Sequence, residues 1–220
     1  MITLTDIKKN PQVLEFIKQT EIVLANLGYT EHGLRHANLT ADRARTVAKE
    51  IGLSKREQEI AAIATFCHDM GSFISRPNHH YFGALLFCQI FNQNFNPQEL
   101  SLIIQAISHH DKEEMRFSNP ISAVVVLADK SDVHRSRVIV RDISKIKVDI
   151  HDRVNWATKL SRLKIDKNKK KITLTLKIDT NFVPVMEYFE IFTNRMAYCR
   201  TAAEYLNYQF GLVINNFRLL

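Results

Sequence analysis

No stretch of this chain is apolar for long enough to cross a bilayer: the longest aliphatic run, AVVVLA at 123–128, falls far short of the ~20 residues a membrane helix needs. The opening residues MITLTDIKKNPQ lack a basic segment followed by an apolar one, so no secretory leader is read there and a cytoplasmic protein is expected. Cysteine is nearly missing. Cys67, Cys88 and Cys199 are odd in number and far apart within apolar helical patterns, which argues against a disulfide framework or a cysteine-rich zinc knuckle and for reduced core thiols. Glycine (6) and proline (5) are scarce, and 45% of residues are apolar, so the composition reads as a helix-rich globule rather than disorder. Walker, dinucleotide-binding, HExxH and CxxC patterns are absent, which leaves ATPase, Rossmann, zincin and thiol-redox readings without support. Acidic residues are outnumbered, 23 against 30 basic ones, and the resulting charge of +7 favours polyanionic company: nucleotides, nucleic acid or an acidic surface.

What is present is helical for most of its length. With 220 residues the chain can build one substantial core, or one core with a small appendage. Helices are predicted over 11–26, 31–51, 55–70, 79–95, 97–109 and 119–140. The second carries Leu34, Ala37, Ala41, Ala44, Ala48 and Ile51 at three- and four-residue spacing and closes on GLS. Pro97 and Pro120 sit at helix starts, where a missing N–H matters least. After about residue 150 the period changes to two. RLKID and KITLTLKID, separated by the polar turn KNKKK, predict an antiparallel hairpin with Ile172, Leu174, Leu176 and Ile178 on its buried face. A helix over 184–209 follows, with Val185, Phe189, Phe192, Met196, Ala203 and Leu206 on one stripe, stopped by Gly211 before a short LVI strand. The expected architecture is therefore mainly α: a helical bundle over 1–145 and a small α+β extension over 146–220 packed on it.

Seven of the nine histidines, His32, His36, His68, His79, His80, His109 and His110, fall between residues 32 and 110. They lie at starts or ends of different predicted helices, so a bundle can aim them at one interior point. In FCHDMGS (66–72), His68 and Asp69 are neighbours that point about 100° apart on a regular helix, so they share a site only near a helix end or across two metals. Gly71 is read as supplying that end, where the negative end of the helix dipole favours a cation.

His36, HD at 68–69, HHYFGA from 79, HHD from 109 and LADKSD from 127 resemble, in that order, the motifs of the HD-domain superfamily of metal-dependent phosphohydrolases. The match covers about residues 25–140. The resemblance implies that His36, His68, Asp69 and Asp129 hold one metal, and that Asp69 bridges to a second held by His79, His109 and His110. His79 is preferred to His80 because His79 and Gly83 reproduce an H-x-x-x-G spacing. His32, one turn before His36, is a further ligand candidate, as is His80. Imidazole and carboxylate together suit Fe, Mn, Zn or Ni, expected as two divalent transition ions per chain. The implied reaction is hydrolysis of a phosphomonoester or phosphodiester by a metal-activated water, with Asp69, Lys130 and Asp111 as catalytic candidates.

Several branches are set aside by what stands in their motifs. Cyclic di-GMP phosphodiesterases of this superfamily show HDIGK and a GYP segment, whereas this chain has HDMGS, with Ser72 in place of the lysine. Guanosine tetraphosphate hydrolases follow HD closely with ED, and nothing acidic follows Asp69 here until Glu99. The ADK of residues 128–130 is similar to the ending seen in diadenosine tetraphosphate hydrolases. Arg76, Lys112, Arg116, Lys130, Arg135 and Arg137 are the basic residues near the motifs that phosphate could meet. Asp111 and Asp132 are candidates for orienting histidines or, for the leaving group, donating a proton. His134 and His151 receive no role. The expected ligand is a phosphorylated small molecule, a nucleotide; the basic turn Lys167, Lys169, Lys170 and Lys171 reads as a solubilising tip rather than a nucleic-acid surface, no membrane partner is expected, and a homodimer is left open. Two other readings stand beside the hydrolase: an HD-type di-iron oxygenase, and a non-enzymatic metal-containing binding or regulatory module.

Overall fold

The computed structural model describes residues 1–220. Its helical part comprises α1 (Leu4–Ile7), α2 (Pro11–Asn26), α3 (Leu34–Glu50), α4 (Lys55–Cys67), α5 (His79–Phe91), α6 (Pro97–His109) and α7 (Pro120–Lys130). Three of these start in the same way. Asn10, Asn96 and Asn119 each accept backbone N–H groups through the side chain, and a proline follows at the first helical position of α2, α6 and α7. Ser54 and Glu57 form a capping box at α4. Gly33 precedes α3 and offers no side-chain cap. Glu31 replaces it, its Oε1 accepting from the Gly33 N–H at 2.8 Å and the His36 N–H at 3.3 Å.

The helix predicted over 119–140 ends instead at Lys130, where the chain turns through Ser131–Val133 into a short 3-10 turn at Arg135–Arg137. Two helices that periodicity did not announce follow, α8 (Ile143–Ile146) and α9 (Ile150–Ala157). Next come β1 (Thr158–Asp166), β2 (Lys171–Ile178), α10 (Val185–Tyr205), β3 (Gln209–Ile214) and β4 (Phe217–Arg218), in sheet order β1-β2-β3-β4. The hairpin pairs antiparallel as expected, and β3 then joins β2 in parallel after the α10 crossover. Gly211 does not stop α10. Asn207, in the left-handed region at φ 61°, does so, and Gly211 lies inside β3 opposite Thr173.

Helix α10 packs along α7 and against the sheet, so the extension touches the helix that carries Asp129 and Lys130. Arg43 of α3 reinforces the junction, donating to Ser131 Oγ at 2.9 Å and to the Ser161 carbonyl of β1 at 2.7 Å. One hydrophobic cluster runs from Leu4 and Ile7 through Ile63 and Val126 to Leu174 and Ile214. The expected boundary at 145/146 falls within α8, and the two parts share that core. No helix is long and apolar enough to cross a membrane.

Candidate metal centre

Helix α4 is over before the histidine-aspartate pair. Its last helical residue is Cys67, and His68 to Ile74 form successive turns, so Gly71 is not what ends it. The role of Gly71 is close approach: a Cβ there would fall inside van der Waals contact of the Gly83 nitrogen and the His79 carbonyl oxygen. Gly83 meets the same turn from the other side, where an added Cβ would lie 3.1 Å from the His68 carbonyl. The two glycines thus let the first turn of α5 lie directly on the turn that carries Asp69. That is the physical content of the spacing from His79 to Gly83.

Asp69 is buried, and its two oxygens face different histidines. Oδ2 lies 3.1 Å from His68 Nε2 and 3.6 Å from His36 Nε2. Oδ1 lies 3.2 Å from His79 Nε2 and 3.7 Å from His110 Nε2. Asp129 closes the first set, its Oδ1 at 3.4 Å from His36 Nε2 and 3.5 Å from His68 Nε2. The ligand atoms form three overlapping groups: His36, His68 and Asp69; His68, His110 and Asp129; and Asp69, His79 and His110.

The chemistry of these donors fits a cation. Each ring has its Nδ1 against an oxygen: His36 on Asp132 Oδ2 at 2.7 Å, His68 on the Thr65 carbonyl at 2.5 Å, His79 on the Arg76 carbonyl at 2.9 Å, and His110 on the Ile107 carbonyl at 2.7 Å. An oxygen of this kind only accepts, so Nδ1 carries the hydrogen and Nε2 is left to offer its lone pair to a cation, which would take the place of any proton there. Four such lone pairs and two carboxylates converge, with His36 and His68 Nε2 at 3.3 Å and His79 and His110 Nε2 at 3.0 Å. Burial by itself would raise the pKa of Asp69 and Asp129, yet the histidines, and for Asp129 chiefly Lys130, hold both well below the usual carboxylate range. Burial likewise opposes a proton on His68, but Asp69 and Asp129 overcome it and lift that ring to about 10, whereas burial takes His110 down to about 4. The site therefore demands positive charge at its centre, and buried imidazole with carboxylate suits a divalent transition ion.

A rear layer fixes these ligands. Asp132, fully buried, accepts from His36 and also from Arg35 at 2.8 Å. Arg137, 2% exposed, donates to the Glu31 carbonyl at 2.8 Å and the Asp132 carbonyl at 3.3 Å. It is thus a structural residue behind His36, not a phosphate contact. Asp132→Asn is expected to weaken metal affinity about 10- to 100-fold, as loss of a carboxylate behind a ligating histidine generally does. Competition with a chromogenic chelator measures it.

Not every sequence candidate joins the centre. His109 lies half-buried on the wall of an adjoining cavity, away from Asp69 and Asp129. The reason is helical geometry, because His109 and His110 are consecutive and only His110 faces inward. His79 rather than His80 reaches Asp69; His80 packs on Tyr81, ring centroids 4.2 Å apart, and lines the same cavity. His32 is buried 5.7 Å from the His36 ring, with Nδ1 2.5 Å from the Thr30 carbonyl. Lys130, buried, donates to Asp111 Oδ1 at 2.6 Å and to Asp129 Oδ2 at 3.0 Å. Arg76 lies over the centre, with Nη1 3.1 Å from His79 Nε2 and 3.5 Å from Asp69 Oδ1. Arg135 is turned elsewhere, onto Trp156, while Lys112 and Arg116 line the cavity. Glu31, Arg35 and Arg195 were not singled out from sequence; each lies outside the histidine motifs, and Arg195 is far along the chain on α10.

Residues 33–157, more than half the chain, match the family profile described as HD domain. The chain belongs to the HD-domain family. This places it in a superfamily of metal-dependent phosphohydrolase type, and the match runs past α7 through α9. The chain is also similar to the uncharacterized protein MJ1020 of Methanocaldococcus jannaschii, 25% identical over 166 residues that span 65% of this chain and 63% of that one.

Proposed function

We propose that this HD-domain protein is a phosphohydrolase with a two-ion centre, acting on a phosphomonoester or phosphodiester of a nucleotide. The observation that carries the reading is the division of Asp69, one oxygen toward His36 and His68 and the other toward His79 and His110. Residues His36, His68, Asp69 and Asp129 would hold one divalent ion, and Asp69, His79 and His110 the other. When bound, such ions supply Lewis acidity toward the phosphoryl oxygens and a nucleophilic water near neutral pH.

The protein groups around them have separable tasks. Arg76, whose side chain is 22% exposed, presents its guanidinium at the open side of the centre, where it suits bidentate contact with phosphate. Lys130 holds Asp129 in place from behind and keeps Asp111 ionised: burial would raise the Asp111 pKa, but Lys130 and then His110 hold it well below the usual range. Asp111 therefore serves better as the anchor of Lys130 than as a proton donor. Beside the centre a cavity of about 710 Å³ is walled almost entirely by polar residues, with Tyr81 as its one aromatic ring besides histidine. Its size supports a nucleotide-sized ligand.

A screen of nucleoside phosphates and phosphodiesters, run with Mn or Fe, tests the reading. Metal-dependent release of phosphate or nucleotide, lost in Arg76→Met as a raised KM, is the expected result. A metal-loaded protein inert toward the whole panel would overturn it, and oxygen consumption in its place would transfer the assignment to the oxygenase.

A further inference from the structure

A second cavity, of about 320 Å³, lies on the other side of Arg76 from the first and is bounded by Tyr29, His32, Asp149, His151 and Arg195. Arg76 and His32 connect it to the metal centre. Arg195 comes from α10 in the C-terminal extension, far from any HD motif in sequence, and its guanidinium makes no hydrogen bond or ion pair with the protein. Its one defined interaction is with the Phe192 ring, 4.7 Å from the guanidinium carbon. Among the other charges near it are Arg137, Arg76, Asp129 and Asp111, and it in turn acts on Lys130. Burial, followed by the Arg137 charge, lowers its pKa, the mark of a cation short of anionic company.

The wall of this cavity is accordingly cationic. Asp149 is its only carboxylate, and one oxygen of that group caps α9 by accepting from the Asp152 N–H at 2.9 Å. A guanidinium partly withdrawn from water with no carboxylate in contact is unfavourable unless an anion completes it. Both Arg76 and Arg195 face the same space, with the centre beyond Arg76.

We propose that this cavity is a subsite for a second phosphate of the substrate, with Arg195 as its ligand, so that the C-terminal extension completes the active site and selects oligophosphates over simple monoesters. The inference rests on the phosphohydrolase reading for the word substrate, but not for the binding itself. A phosphate chain whose reacting group lies beside Arg76 at the centre would extend past His32 to Arg195. The packing of α10 along α7 then serves to place that arginine.

The test is calorimetric and uses the metal-loaded full chain with two probes that are not turned over, orthophosphate and the hydrolysis-resistant diimidotriphosphate. Wild type is expected to bind the three-phosphate chain more tightly than orthophosphate beyond any preference left in Arg195→Met. In that variant, which keeps an unbranched stem over Phe192, affinity for diimidotriphosphate should fall at least tenfold while that for orthophosphate changes less than twofold. Arg195→Lys should recover part of the loss. Equal affinity of wild type and Arg195→Met for diimidotriphosphate, or an equal loss for both probes, overturns the subsite. Absence of ester hydrolysis with Arg195-dependent binding intact would instead count against the hydrolase alone.

Discussion

Asp69→Ala is expected to remove metal-dependent turnover and to loosen metal throughout the centre, while the protein still folds. The side chain is the only one whose two oxygens face both histidine pairs, so its loss takes a ligand from each. Folding survives because the backbone of the turn is held independently of that carboxylate: the Asp69 carbonyl accepts from the Ser72 N–H at 2.9 Å, and Thr20 Oγ1 lies 3.4 Å from the same oxygen. Asp69→Asn keeps the volume and removes only the charge, and it should be equally inactive. Far-UV circular dichroism and a cooperative melt check the fold, and phosphate release checks the activity. Full turnover in either variant would remove Asp69 from the mechanism.

Gly71→Ala should be nearly as damaging by a different route. The new methyl would meet backbone atoms of His79 and Gly83, which have no flexible end to swing aside, so the turn and the start of α5 must part. Overpacking of this kind costs about 1–3 kcal/mol, roughly 2–12 °C in Tm for a chain of this size. His79 rides on the displaced segment, so metal affinity should fall with stability. Gly52→Ala provides the contrast. It also replaces a glycine, at φ 92°, but in open space, and should lower Tm without touching the metal centre. A Gly71→Ala protein that melts and binds metal like wild type would show that the close approach is not needed.

Much of this arrangement was legible because the relevant signals are local. The helix starts at Pro97 and Pro120, the GLS at the end of α3 and the alternation of β2 are each decided within a few residues, and the structure follows them. The ordered HD motifs brought His36, His68, Asp69, His79, His110 and Asp129 to one point as expected. What escaped was decided by tertiary contacts. Gly71 and Gly211 look like helix stops in a one-dimensional reading, yet the first exists for the backbone of α5 and the second for a place in β3. The end of α7 at Lys130 could not be seen from the periodicity, because the turn that follows is shaped by Asp132 and Arg137 reaching back to His36. His109 was drawn in by its neighbour's motif and excluded by the helical phase. Arg195 carries no motif, and only the packing of α10 on α7 brings it near.

The proposed sharing of Asp69 by two ions is checked by elemental analysis of metal per chain, on protein purified without added metal or chelator, with Asp69→Ala purified beside it. About two transition ions per wild-type chain are expected, one toward each histidine pair, with a clear loss in the variant. No transition metal in either protein, even after reconstitution with Mn or Fe, would contradict it.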